Sequence, residues 1–276
     1  MKNEMMKFGV IGDPIQQSKS PLMMNAAFAA IGYDGLYEKY HVKPEELADA
    51  MARFRSEGFR GLNVTIPHKV EVMQYLDEID QDARNIGAVN TVVNEGGRLI
   101  GYNTDGIGYV RSLLEESGFD PRDKRILFLG AGGAARGVIY AMLKQQPAYV
   151  AIANRTLARA EKLALSLSAF GNIQAIADRE ITGGQWDLIV NTTSVGMFPN
   201  VDESPIDPTV IQPNMVVSDL IYNPRETLIL KQAKARSAKI HNGLGMFIYQ
   251  GAYGFEYWTG HAAPVLEMRR VVEATL

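Results

Sequence analysis

Residues 125–143 read RILFLGAGGAARGVIYAML: an apolar run, a glycine-rich turn and a helical pattern, in that order. The order decides the fold, because a strand that runs through a tight turn into a helix is the opening unit of a dinucleotide-binding α/β domain. Gly130 can make the turn. Gly132 lets the backbone approach a pyrophosphate, the small Ala135 permits close helix packing, and free N–H groups at the helix start face the anion. Gly130, Gly132 and Ala135 are the positions this reading singles out. A strand-to-helix connection without a ligand is the competing reading, and the strand–turn–helix context weighs against it.

Two dozen residues on, the next apolar run ends in YVAIANRT (149–156). An NAD site would place an Asp or Glu there to hold the ribose hydroxyls. This chain has Asn154, Arg155 and Thr156. A carboxylate would repel a 2′-phosphate, whereas Arg155 can bond to it and Thr156 can add a hydroxyl. The expected cofactor is therefore NADP(H). Thr156 also suits the N-cap of the helix that follows, a role compatible with phosphate binding. Further along, DLIVNTTSVGM (187–197) leaves a buried-looking strand and breaks into small polar residues at the sheet's carboxyl edge. Thr192, Thr193 and Ser194 there are read as contacting the cofactor, with a simple hydroxyl-rich turn as the alternative.

Working outward, short β-rich runs alternate with helical patterns: KFGVIG, YEKYHV, GLNVTI and TVVN first, then RILFLG, YVAIAN, IQAIA, DLIVNTT and MVVSDLIY. Such alternation predicts an α/β protein with mainly parallel sheets. The second group has the continuous apolar character of strands buried on both faces. In the first group, NTVVNEGGRLIGYN (90–103) predicts a hairpin turning at Glu95-Gly96-Gly97. A domain boundary follows it. After KIHNG come two helical stretches, 246–258 and 263–276, with no further strand, and these return to the first domain. The expected division is 1–105 plus 242–276 for a substrate-binding domain and 106–241 for a Rossmann domain.

Polar residues interrupt the first half where a core is expected. In GLNVTIPHK, Leu62, Val64 and Ile66 alternate with Asn63 and Thr65, which share the opposite face of the strand. Pro67 then starts a helix that places Lys69 in its first turn, where the dipole disfavours a cation. A lysine reaching into water is the ordinary alternative. Reduction of a carbonyl generates an alkoxide, which a protonated lysine held by a carboxylate can neutralise and protonate. Asp105, in GYNTDG, is the carboxylate candidate, with helix capping as its other explanation. Ser18 and Ser20 lie two apart, so an extended backbone would point both hydroxyls one way. Pro21 makes Ser20 an N-cap. That role explains one serine but not both.

Composition narrows the classes. The chain has 276 residues, 46% hydrophobic and 21% charged, with a net charge of -3, an ordinary globular composition long enough for roughly two domains. The charge gives no footprint for a nucleic-acid partner. There is no cysteine and only four histidines, at 41, 68, 241 and 261, without metal-ligand spacing, so no metal is expected. No stretch approaches the ~20 apolar residues of a membrane span, and no signal peptide is evident. The expectation is a complete, cytoplasmic chain with no membrane partner.

Taken in order, SKSP (18–21), NVTIPHK (63–69), GAVNTVV (87–93), GYNTDG (101–106), GAGGAARG (130–137), NRT (154–156), NTTSVGM (191–197) and NGLGMFIYQG (242–251) resemble the shikimate dehydrogenase family over nearly the whole chain. The resemblance implies NADPH-linked, reversible reduction of 3-dehydroshikimate to shikimate, in the pathway to chorismate and the aromatic amino acids. It implies Lys69 and Asp105 as the catalytic pair. Ser18, Ser20 and Tyr222 would hold the substrate carboxylate, and Asn63, Thr65, Asn90, Asp105 and Gln250 the ring hydroxyls. Cofactor contacts would be Gly130, Ala131, Gly132, Gly133, Ala134, Ala135, Asn154, Arg155, Thr156, Thr192, Leu220, Gly243 and Met246. It also implies that the terminal helices return to the N-terminal domain, leaving a hinged cleft. Gln17 and Met24 stand where the family often has histidine. A quinate/shikimate dehydrogenase of broader substrate and cofactor range is the nearest rival. A methyltransferase, which would want an acid near 154, and a non-catalytic NADP-binding sensor are the others. A homodimer is among the assemblies the sequence leaves open.

Overall fold

The computed structural model describes residues 5–276, and the reading of a leaderless N-terminus concerns in part residues 1–4, which lie outside the described residues. The chain divides into two compact units, one running up to Thr104 and resuming over Ile248–Thr275, the other Asp105–Phe247. The divisions at 104/105 and 247/248 compare with the expected 105/106 and 241/242.

In the first unit β1 (Met6–Gly12), β2 (Gly35–His41), β3 (Gly61–Val64), β4 (Glu78–Ile79), β5 (Thr91–Glu95) and β6 (Arg98–Tyr102) form one sheet in the order β2-β1-β3-β5-β6-β4. The β1–β2, β1–β3 and β4–β6 pairs are parallel, and β5 runs antiparallel to β3 and β6. The antiparallel part is the hairpin at 90–103. Gly96 and Gly97 have φ of +62° and +95°, the left-handed values a two-residue turn between twisted strands requires. Helices α1 (Ser20–Ala30), α2 (Leu47–Ser56) and α3 (Gln81–Ile86) complete the first pass. Leu47, Met51 and Phe54 of α2 pack with Ile11, Val64 and Val92 from the strands in one buried cluster.

The second unit opens with α4 (Asp105–Ser112) and continues through β7 (Arg125–Leu129), α5 (Gly133–Leu143), β8 (Tyr149–Ala153), α6 (Leu157–Leu167), β9 (Ile173–Ile176), α7 (Asp178–Ile181), β10 (Leu188–Asn191), β11 (Val216–Asp219), α8 (Leu228–Ala235) and β12 (Lys239–His241). All its strands are parallel, in the order β12-β11-β10-β7-β8-β9. This is the doubly wound Rossmann arrangement, in which the direction of winding reverses between β7 and β10. Leu127, Phe128, Ile152, Ile189 and Val217 are wholly buried, as expected of strands covered on both faces.

The last two helices, α9 (Leu244–Thr259) and α10 (Val265–Glu273), supply side chains to the first unit from Ile248 on. Phe255 lies 5.3 Å from Phe28, and Trp258 lies 5.5 Å from Phe8 between ring centroids. The Trp258 indole lies against Gly61, where a β-carbon would collide with it, and its Nε1 donates to the Val92 carbonyl at 2.9 Å. Burying these rings stabilises the unit by roughly 1.5–3 kcal/mol each.

The α4–α5 contact is equally close: a β-carbon on Gly106 would collide with the Gly137 carbonyl oxygen and meet the Ala141 methyl. This approach carries Asp105 alongside the helix that follows the glycine loop. Replacing Gly106 with Ala should therefore destabilise the second unit by about 1–3 kcal/mol through overpacking. Urea denaturation followed by far-UV circular dichroism checks this, and an unchanged midpoint would show that α4 and α5 are not so tightly apposed.

Candidate active site

In the second unit, the glycine loop joins β7 to α5 at the carboxyl end of the sheet. Gly130 has a φ of +108° and donates its N–H to the Ala153 carbonyl at 2.8 Å. A side chain there would be strained and would press on the Thr192 and Thr193 side chains. Gly132 and Gly133 differ: both are exposed, and a β-carbon on either would meet nothing within 4 Å. The protein's own packing does not require glycine at these two positions, so the open space is a cradle for a ligand. Gly132 caps α5 without a side-chain hydrogen bond, leaving first-turn amides available to an anion. The loop fits a pyrophosphate. Ala135 is fully buried, as close helix packing demands.

Beside the loop lies a cavity of ≈ 570 Å³ bordered by Gly130, Asn154, Arg155, Thr156, Thr193, Ser194 and Val195, and also by Arg159, Asp178 and Glu203. Asn154 acts as a clamp: its Oδ1 accepts from Ala131 N at 3.2 Å and its Nδ2 donates to the Thr156 carbonyl at 2.8 Å. Thr156 precedes α6 and makes no side-chain cap bond, and the residue borders the cavity. Thr192 turns inward, its Oγ1 donating to the Leu129 carbonyl at 2.8 Å, while Thr193 borders the cavity. Arg159 escaped the sequence reading. Its signal was available in the spacing, four residues after Arg155 and in the first turn of α6. Arg155, Arg159 and the Thr156 hydroxyl form a donor set suited to a 2′-phosphate.

The end of β11 gathers further candidates. Leu220 N donates to the Asn191 carbonyl at 3.0 Å, and Gly243 N donates to the Ile221 carbonyl at 3.1 Å. A β-carbon on Gly243 would collide with the Leu220 carbonyl. Tyr222 stacks on Phe247 at 5.1 Å, next to Met246, and burial pushes its phenol pKa up.

In the first unit a buried polar network joins several expected substrate ligands. The Tyr37 hydroxyl donates to Asn63 Oδ1 at 2.6 Å, and Asn63 Nδ2 donates to the Asn90 carbonyl and Thr91 Oγ1, both at 3.2 Å. Asn90 Nδ2 donates to Thr104 Oγ1 at 3.0 Å, and its Oδ1 accepts from Thr104 N at 2.8 Å. Asn90 thereby fixes the residue that precedes Asp105. Tyr37 also bonds to the Ser20 side chain, and burial holds its phenol pKa well above the ordinary value. Tyr37 had no sequence signal, because its partners lie far along the chain.

Three local expectations need correction. The backbone is not extended between Ser18 and Ser20: Lys19 is in the right-handed helical region and is itself the N-cap, so α1 begins at Ser20. Ser18 Oγ accepts from Ser20 N at 3.3 Å, which leaves the Ser20 hydroxyl for Tyr37. Strand β3 ends at Val64, and Ile66 is 70% exposed rather than part of the alternating apolar face. Pro67 does not start an α-helix. Residues 66–70 form turns and a 3-10 segment follows at Glu71–Tyr75. The reason is tertiary: Val89 N takes the Lys69 carbonyl at 2.7 Å, and the buried His68 ring turns to the Val42 carbonyl at 2.6 Å. The helix-dipole argument for Lys69 thus has no helix to act through.

The remaining candidates have clear positions. Lys69 and Thr65 are half-buried, and Asp105 is the buried first residue of α4. Gln250 sits half-buried on α9 beside Gly251, where α9 lies against Met23 and Met24 of α1. Met24 is a core residue and Gln17 is exposed. Among the described residues no group of three or more acidic or histidine side chains could hold a metal, and no helix is long and apolar enough to cross a membrane.

Three family models match in sequence order: a shikimate dehydrogenase substrate binding domain over residues 10–92, shikimate / quinate 5-dehydrogenase over 113–226, and a shikimate 5'-dehydrogenase C-terminal domain over 243–273. A curated shikimate dehydrogenase (NADP(+)) from Geobacillus kaustophilus is 47% identical over 269 residues, 96% of either chain. One from Moorella thermoacetica is 48% identical over 273 residues, 97% of this chain and 92% of the other. Among solved structures, the Thermus thermophilus shikimate 5-dehydrogenase in complex with NADP(H) and shikimate superposes with a TM-score of 0.91 at 34% identity, covering 99% of this chain and all (100%) of that one. With similarity running through both units at close to half of all positions, the chain belongs to the shikimate dehydrogenase family.

Proposed function

We propose that this protein catalyses the reversible, NADPH-linked reduction of 3-dehydroshikimate to shikimate. The observation that carries the reading is the near end-to-end similarity to curated NADP(+)-dependent shikimate dehydrogenases. The chemistry of the second unit agrees, with an open glycine cradle for a pyrophosphate and Arg155, Arg159 and Thr156 around the adjoining cavity.

NADPH, when bound, supplies the hydride. The loop at 130–135 would hold its pyrophosphate through the first-turn amides of α5, Arg155, Arg159 and Thr156 would hold the 2′-phosphate, and Leu220, Gly243 and Met246 would border the nicotinamide end. Ser18 and Tyr222 would bind the substrate carboxylate through hydroxyl donors, and Ser20 would join them by turning its hydroxyl away from Tyr37. Asn63, Thr65, Asn90 and Gln250 bind the ring hydroxyls, since amides and hydroxyls both donate and accept. Lys69 stabilises the negative charge growing on the carbonyl oxygen and delivers a proton to it. In oxidation the unprotonated Lys69 amine takes the hydroxyl proton back. Asp105 is the carboxylate partner in this proton handling and an acceptor for a ring hydroxyl. The cytoplasm is the proposed compartment, and a homodimer the proposed assembly, to be checked by light scattering.

Initial rates with shikimate and quinate, each with NADP+ and NAD+, test the function: the shikimate–NADP+ pair should lead, and a lead for quinate or NAD+ would overturn the reading. Lys69→Ala should lower kcat by about 10²-fold or more, the usual contribution of a positioned general acid, while NADPH binding measured by fluorescence stays nearly intact. Wild-type turnover would remove Lys69 from the mechanism. Arg155→Asp should reverse the preference toward NAD+, because the carboxylate repels the 2′-phosphate and accepts from ribose hydroxyls instead. The kcat/KM ratio for the two cofactors measures this, and an unchanged ratio would rule out the assigned contact.

A further inference from the structure

Asp219 ends β11 as a wholly buried carboxylate that the proposed chemistry does not use. Its ligands are neutral donors from three segments. Asn191 Nδ2 lies 3.1 Å from both carboxylate oxygens, Thr227 Oγ1 donates to Oδ2 at 2.6 Å, and Ile221 N donates to Oδ1 at 3.0 Å. Asn191, also wholly buried, passes this anchoring on. Its Nδ2 donates to the Val195 carbonyl at 3.1 Å, and its Oδ1 accepts from Thr193 N at 3.0 Å and Thr193 Oγ1 at 2.7 Å. Val195 N in turn donates to Thr193 Oγ1 at 3.1 Å. Thr193, Ser194 and Val195 are the residues that border the cavity beside Gly130.

We propose that Asp219 is a positioning residue for NADP(H): its carboxylate orients the Asn191 amide, and that amide sets the shape of residues 193–195 against the cofactor. The inference rests on the reading of the Gly130 cavity as the cofactor site. Orientation is the point, because an amide can flip. With a carboxylate acceptor at 219, Asn191 must aim its NH2 at Asp219 and Val195 and its oxygen at Thr193. Without that acceptor, the Asn191 orientation rests only on Val195 and Thr193, the loop it is meant to shape, and the template loses its outside anchor. Burial raises the Asp219 pKa to about 6, against the lowering effect of its hydrogen bonds. A proton on Asp219 replaces an acceptor with a donor and weakens the same template. Around it, β10 contributes the neutral Asn191. Tyr109 of α4 and His241 of β12 both bond to the neighbouring Ser218, and Lys234 of α8 is paired with Glu226.

The test is calorimetric titration of the full-length protein with NADP+, with the Tm of the unliganded protein measured alongside. Asp219→Asn should raise Kd by about tenfold, the scale of one lost hydrogen bond to a charged group. Because that variant can be impaired in folding, Thr227→Val and Thr227→Ser provide a matched pair. The first removes the donor to Asp219 and should weaken binding several-fold, while the second keeps the hydroxyl and should restore near-wild-type Kd. A pH series adds a readout that a structural role alone would not move. The 2′-phosphate titrates near pH 6 in every sample, so the quantity read is the ratio of Asp219→Asn Kd to wild-type Kd. It should fall toward one as pH drops through about 6 and the wild-type carboxylate is itself neutralised. A folded Asp219→Asn with wild-type Kd, equal Kd for the two Thr227 variants, or a pH-independent ratio would overturn the proposal. Failure of the wild type to bind NADP+ would instead overturn the cofactor reading.

Discussion

The second unit depends on a single topological constraint, the reversal of winding between β7 and β10. Two adjacent parallel strands hand the chain to opposite sides of the sheet, and the crevice beyond their carboxyl ends is where such folds bind ligands. The crevice keeps its shape because its walls are bonded to each other. Thr192 N and Oγ1 both donate to the Leu129 carbonyl, joining the segment after β10 to the strand that ends in the glycine loop. Gly130 turns with a φ only glycine adopts readily, and on the other side Asn154 ties the loop to the turn before α6. Each such bond contributes only about 0.5–1.5 kcal/mol, but stranding a buried donor or acceptor costs about 1–3 kcal/mol. Rigidity here comes from the cost of breaking the pattern more than from the gain of making it.

The first unit solves a different problem by the same rule. Polar side chains inside a core are tolerated only when partnered, and Asn63 is partnered on both sides of its amide, by Tyr37, the Asn90 carbonyl and Thr91. Asn90 is likewise engaged with Thr104 through both ends of its amide. These side chains are therefore held in place before any substrate arrives. For the proposed substrate site this arrangement would reduce the ordering cost of binding, which accounts for two asparagines standing where packing alone would choose leucine or valine.

How much of this was legible depends on the length over which each determinant acts. The strands of the second unit were, because RILFLG and DLIVNTT are apolar runs buried on both faces and the glycine spacing after β7 has one mechanical meaning. The hairpin at 96–97 was, because two consecutive glycines between β runs admit few turns. The helix read from Pro67 failed because a bond from Val89, twenty residues away, takes the Lys69 carbonyl that a helix would have used. Strand β12 has only three residues, Lys239–His241, too few for a pattern. Tyr37 and Asp219 left no local trace, since each acts through partners that only the fold brings near.

The two units thus encode ligand recognition in opposite ways. In the second, the proposed pyrophosphate-facing surface is backbone, so the sequence marks it by what is missing: glycines at 132 and 133 that the protein's own packing does not require. In the first, the proposed substrate-facing surface is side chain, so the sequence marks it by what is out of place, amides and hydroxyls in a core. A missing side chain fixes only where a ligand's backbone-facing atoms can lie, and for that reason the glycine loop alone indicates a dinucleotide but no reaction. Misplaced polar groups carry donor and acceptor patterns, and these carry the information about which molecule is turned over. Binding a common cofactor with peptide groups leaves the first unit's side chains free to specialise, a division that lets one dinucleotide-binding fold serve reactions with different substrates.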